Sequence, residues 1–81
     1  MYNITKYVCE LIQEKCDSKI EPEFEMVNLG LSSIDFITII VYIENEYQIQ
    51  FEDEYLVMSR FDTIKDLCKY VVERINTTGM D

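Results

Sequence analysis

Asn28-Leu29-Gly30-Leu31-Ser32-Ser33-Ile34-Asp35 runs straight into Phe36-Ile37-Thr38-Ile39-Ile40-Val41-Tyr42-Ile43, and this junction governs how the rest of the chain is read. A glycine turn delivers two serines to the start of an apolar helix. The first backbone N–H groups of a helix have no partner inside it, and the macrodipole adds partial positive charge, so the junction suits an anion. Ser32 and Asp35 have the spacing of a capping box, in which the Ser32 hydroxyl accepts an orphan N–H and the Asp35 side chain reaches back. Ser33 is then the first helical residue, with its hydroxyl free. Serines at helix starts are common caps, so the pair alone says little.

The helix that follows, read from Ser33 to Tyr47, says more. At about 100° per residue, Phe36, Ile39, Ile40, Ile43 and Tyr47 make one apolar stripe, while Ile34, Ile37 and Val41 make a second on the other side of Ser33. A small surface helix ordinarily carries one apolar face. The second stripe is therefore expected to be partly exposed beside Ser33, and exposed apolar surface marks a contact site.

The chain of 81 residues predicts one domain over residues 1–81, with a small polar tail fraying from Asn76 to Asp81. A hydrophobic fraction of 48% is globular in character, and no apolar run approaches the ~20 residues of a membrane span. Met1-Tyr2-Asn3-Ile4-Thr5-Lys6 lacks the basic-then-apolar layout of a signal peptide, so a cytoplasmic protein is expected, and a monomer.

Sixteen acidic against seven basic residues give a net charge of −9. That charge disfavours nucleic acid and anionic membranes, and fits protein partners with basic docking patches. The three cysteines, Cys9, Cys16 and Cys68, have no metal-site spacing, and the odd count cannot close into disulfides. With no histidine either, neither a zinc site nor a Ser33 hydrolase is expected, because a nucleophilic serine needs an adjacent base.

Taken in order, residues 3–16 predict a first helix capped by Asn3, with Ile4, Tyr7, Val8, Leu11 and Ile12 on its buried face. A long loop follows from Asp17 to Leu31, punctuated by Pro22 and Gly30 and expected to be anchored by Phe24, Met26, Val27 and Leu29. After the Ser33 helix, Gln48-Ile49-Gln50-Phe51 alternates like a strand but has no partner, and reads as an extended connector. Tyr55-Leu56-Val57-Met58 predicts a short helical turn. Asp62 is the expected cap of a last helix that buries Ile64, Leu67, Cys68, Val71, Val72 and Ile75. The predicted class is all-α: a four-helix bundle with a long first loop and a short third helix.

Leu29-Gly30-x-x-Ser33-Ile34-Asp35, followed by an apolar helix ending in Glu44-x-Glu46-Tyr47, resembles the attachment segment of acyl carrier proteins, and the likeness of architecture extends from about residue 4 to residue 75. The resemblance implies that Ser33 receives a covalent 4′-phosphopantetheine arm from coenzyme A, added by a separate Mg²⁺-dependent phosphopantetheinyl transferase. The arm would hold an acyl or aminoacyl thioester and present it to loading and downstream enzymes of fatty acid, polyketide or nonribosomal peptide biosynthesis. It further implies that Ile34, Ile37 and Val41 dock those enzymes, with Asp35, Glu44 and Glu46 supplying acidic recognition. The chain departs from the fatty-acid carriers in having Ser32 before the attachment serine, where Asp is usual, and Thr38 and Asn45 where Glu is frequent. The alternative is a small acidic helical adaptor that grips a partner through Ile34, Ile37 and Val41 with no prosthetic group.

Overall fold

In this computed structural model, which describes residues 3–16 and 19–78, three α-helices carry the fold: α1 Ile4–Gln13, α2 Ser33–Tyr47 and α3 Ile64–Thr78. Single 3₁₀ turns at Met26–Asn28, Asp53–Tyr55 and Met58–Arg60 punctuate the connections. The class is all-α, and among the described residues the nearest approach to a sheet is an isolated bridge between Glu25 and Thr63. Three α-helices are found there rather than four. The expected short third helix gives way to two 3₁₀ turns, because each end of that segment is held by its own side-chain contacts. Tyr55 stacks on Tyr70 with ring centroids 4.3 Å apart, and Arg60 ties back to Glu54 at 2.8 Å. Short 3₁₀ pieces suit such a segment, which never completes an α-helical ladder.

Asn3 caps α1 as expected, its side chain accepting from Lys6 N–H at 2.9 Å. The helix stops at Gln13, three residues short of the predicted end. Lys15 and Cys16 donate to Ile12 and Gln13 carbonyls in tight i→i−3 bonds, and the Gln13 side chain accepts from the returning Ile20 N–H at 2.8 Å. The expected loop start at Asp17 and Ser18 lies outside the described residues. Within the loop, Met26 is buried and Leu29 half-buried, but Phe24 is exposed and Val27 is 72% exposed. Backbone bonds do the anchoring instead: Met26 N–H donates to Asp62 O, Ile64 N–H to Phe24 O, and Lys65 N–H to Pro22 O.

These bonds also explain how α3 begins. Thr63, not Asp62, is its cap. The Thr63 hydroxyl accepts from Asp66 N–H at 3.2 Å and Asp66 Oδ2 accepts from Thr63 N–H at 3.1 Å, a complete capping box. Asp62 is occupied through its backbone carbonyl. With the loop carbonyls on Ile64 and Lys65, the first amides of α3 are all partnered.

The core takes Val8 and Ile12 from α1, Phe36, Ile39, Ile40 and Ile43 from α2, and Ile64, Leu67, Cys68 and Val71 from α3. Ile49 and Phe51 close it from the extended connector. Val72, expected in the core face of α3, is 40% exposed. Tyr70 gathers the rings of Phe51, Tyr55 and Phe61 around it. All three cysteines are free thiols, and burial pushes Cys68 up to about 11 because it disfavours the thiolate. The tail expected to fray from Asn76 is helical as far as Thr78, and residues 79–81 lie outside the described residues.

At its far end, α2 closes with Gln48 in the left-handed region at φ 56°, where the N–H groups of Gln48 and Ile49 both return to Glu44 O. Glu44 Oε2 then accepts from Phe51 N–H at 2.8 Å and holds the connector against the helix.

Removing the hydroxyl cap in Thr63→Ala is expected to lower stability by about 1 kcal/mol in chemical denaturation, the usual cost of a lost N-cap. Glu44→Ala leaves a half-buried N–H unpaired and should cost about 1–3 kcal/mol. Glu46→Ala, on an exposed position, should stay within ~0.5 kcal/mol.

Candidate functional site

Gly30 makes the turn into α2 possible. Its φ of +74° lies where a side chain is strained, and it allows Leu31 to fold under the helix start while Ser32 emerges into solvent. Ser32 caps α2, its hydroxyl accepting from Asp35 N–H at 3.0 Å and its carbonyl from Phe36 N–H at 3.0 Å. The other half of the predicted capping box does not form, for the Asp35 carboxylate makes no return bond among the described residues.

Ser33 is exposed at the first position of the helix, and its hydroxyl makes no hydrogen bond among the described residues. The backbone N–H groups of Ser33 and Ile34 are likewise open there. Two unpartnered amides on the positive end of a 15-residue helix form a cradle for a negatively charged oxygen, so a phosphate ester on the Ser33 oxygen suits its surroundings. The contrast with α3, whose first amides are all taken, is a difference in what the preceding loop supplies.

The second apolar stripe stands clear of the core as expected: Ile34 is 78% exposed, Ile37 39% and Val41 46%. Of the predicted acidic residues, Glu44 borders the stripe, whereas Asp35 and Glu46 stand away from it. At about 100° per residue, Asp35 and Glu46 fall roughly 120–140° around the helix from Val41. Glu46 lies on the flank toward α1, sharing a groove with Lys6 and Tyr7. Burial first, then the negative charges of Glu46 and Glu14, push the Tyr7 hydroxyl above its ordinary value. Glu44 falls on the opposite flank, about 60° from Val41, with one oxygen already committed to Phe51 N–H.

Thr38, Tyr42 and Asn45 complete the outward side of α2 and were not among the predicted contact residues. The helical wheel alone places them beside Ile34 and Val41, but their mixed character gave no apolar signal. Among the described residues, no group of His, Cys, Asp or Glu could hold a metal ion, and no helix is long and apolar enough to cross a membrane.

The comparisons with known proteins bear on the chain as a whole. A family model described as a phosphopantetheine attachment site matches residues 4–71. A crystal structure of an acyl carrier protein from Thermotoga maritima is similar with a TM-score of 0.72 and 25% sequence identity, over 95% of this chain and 96% of that one. No curated protein matches. The family match decides against an adaptor without a prosthetic group. The chain belongs to the acyl carrier protein family, as a non-catalytic carrier on which 4′-phosphopantetheine is covalently attached.

Proposed function

We propose that Ser33 is the residue that bears the arm, and that the chain shuttles an acyl or aminoacyl group between enzymes of fatty acid, polyketide or nonribosomal peptide biosynthesis. The carrier is one domain over residues 1–81, working as a monomer in the cytoplasm. The observation that carries this reading is the division of labour between adjacent serines. Ser32 Oγ is bound to Asp35 N–H at 3.0 Å, whereas Ser33 Oγ is exposed and uncommitted.

Ser33 contributes a nucleophilic oxygen and nothing more to its own modification. The chain has no histidine to take its proton, so a phosphopantetheinyl transferase supplies the base and the metal ion. When attached, the group supplies a terminal thiol on which the cargo is held as a thioester. The open Ser33 and Ile34 amides favour the negative charge beside them, an effect of about 0.3–1 kcal/mol at a helix start. Placement at the first turn of α2 gives the attachment point a rigid base, and Ile34, Ile37 and Val41 offer the adjoining docking surface.

The test is incubation of the protein with coenzyme A and a broad-specificity phosphopantetheinyl transferase, read by intact mass. Wild type and Ser32→Ala should each gain a single arm, and Ser33→Ala none. Modification of Ser33→Ala with a silent Ser32→Ala would move the site to the neighbouring serine, and an unmodified wild type would remove the reading altogether.

A further inference from the structure

Three thiols lie outside the site described above, and two of them meet. Cys9 is on α1 and Cys68 on α3. At about 100° per residue, Thr5 and Cys9 share one flank of α1, one turn apart. That flank stands about 160° around the helix from Tyr7, whose ring meets Tyr47 of α2 edge-on. It therefore turns away from α2 and toward α3. Cys68 occupies the matching place on α3: its sulfur hydrogen-bonds the Thr5 side chain and lies within electrostatic reach of Cys9. Cys68 belongs to the core and Cys9 packs against it.

Cys16 stands apart from Cys9. Seven residues separate them in the chain, about 10 Å at helical rise, and Cα atoms more than ~7 Å apart cannot be bridged without backbone movement. The Cys16 sulfur is engaged elsewhere, with Leu29 O at 3.4 Å. An odd count thus excludes a closed set of disulfides, not a single pair. Cys9 is half-buried and open to a small reagent, whereas Cys68 is buried. Burial, then the carboxylates of Glu21 and Glu23, raises the Cys9 thiol above its ordinary value, and burial raises Cys68. Neither is a ready thiolate at neutral pH, so the pair answers sustained oxidation and not a brief pulse.

We infer that Cys9 and Cys68 are a modification site: under a small disulfide such as glutathione disulfide they close into a reversible staple between α1 and α3. The Cys9 thiolate attacks one sulfur of the reagent, breaking its S–S bond and releasing one glutathione, which takes up a proton. Cys68, having given up its own proton, then attacks the Cys9 sulfur of the mixed disulfide and releases the second glutathione. The two protein thiols lose two electrons and two protons, and one small disulfide becomes two thiols. Packing already holds Cys68 beside Cys9, so the second step is intramolecular and outruns loss of the mixed disulfide. The staple closes a loop that contains all of α2, and it stabilises the fold mainly by restricting the unfolded chain. It does not depend on which serine bears the arm.

The test is prolonged incubation of the folded chain, before any arm is attached, with glutathione disulfide, followed by alkylation of the remaining thiols and peptide mapping by mass. Trypsin cuts after Lys6, Lys15, Lys19, Lys65 and Lys69, so each cysteine falls on its own peptide. The Cys9 and Cys68 peptides should be recovered joined, lighter together by two hydrogen atoms, and dithiothreitol should part them. Cys68→Ala should stop at one glutathione on Cys9, the step before closure, and the wild-type map stands whether or not that variant folds. The stapled chain should melt about 10 °C or more above the reduced one. Cys9 and Cys68 both still open to alkylation, a lasting glutathione on Cys9 of the wild type, or a cross-link between two chains would overturn the staple. The thiols would then be small apolar side chains and nothing more. A joined pair in a chain that melts no higher than the reduced one would show that the helices had moved to meet, and would overturn the placement of the two sulfurs.

Discussion

Burial of Phe36, Ile39, Ile40 and Ile43 against α1 and α3 fixes the rotation of α2, and everything at the candidate site follows from that rotation. The helix is apolar on two sides, so its own sequence does not dictate which one turns inward. The larger stripe wins because it completes a core already formed by Val8, Ile12, Ile64, Leu67 and Val71. Truncating any one of these large side chains typically costs 2–5 kcal/mol. Turning α2 by one residue would exchange Phe36 for Ile37 and carry Ser33 away from its exposed edge. The exposed serine and the exposed stripe are thus two results of one packing decision.

The two long helices at the centre of this fold begin with the same chemistry and use it differently. At α3, the loop from Pro22 to Met26 lies against the helix start, and its carbonyls take the Ile64 and Lys65 amides while Thr63 and Asp66 cap each other. At α2, the chain arrives through Gly30 at positive φ, and Ser32 alone caps the helix. The Ser33 and Ile34 amides are left facing outward among the described residues. A helix start whose amides are satisfied is a structural joint. One whose amides are open, next to an uncommitted hydroxyl, is suited to hold a charged ester.

Periodicity made the helical class, the order of the three helices, the Asn3 and Ser32 caps and the two faces of α2 legible from the chain alone. Side chains that repeat every three or four residues report their own burial. What stayed hidden depended on contacts between distant segments. Phe24 and Val27 were expected in the core, yet their loop is held by backbone bonds to Asp62, Ile64 and Lys65, which leave no trace in side-chain pattern. The same bonds occupy Asp62 and shift the cap to Thr63. Glu44 read as a surface acid because nothing local reveals that Phe51 N–H returns to it. The candidate site was the most readable part, since Gly30, Ser32, Ser33 and the second stripe all lie between residues 30 and 41 and so form a local structure.

The most direct test of Ser33 as the arm-bearing residue is fragmentation mass spectrometry of the protein isolated from its own cells. The fragments should place a phosphopantetheine ester on Ser33, with Ser32 unmodified and any acyl or aminoacyl cargo still on the arm. An ester on Ser32, or protein carrying no arm on either serine, would contradict the account.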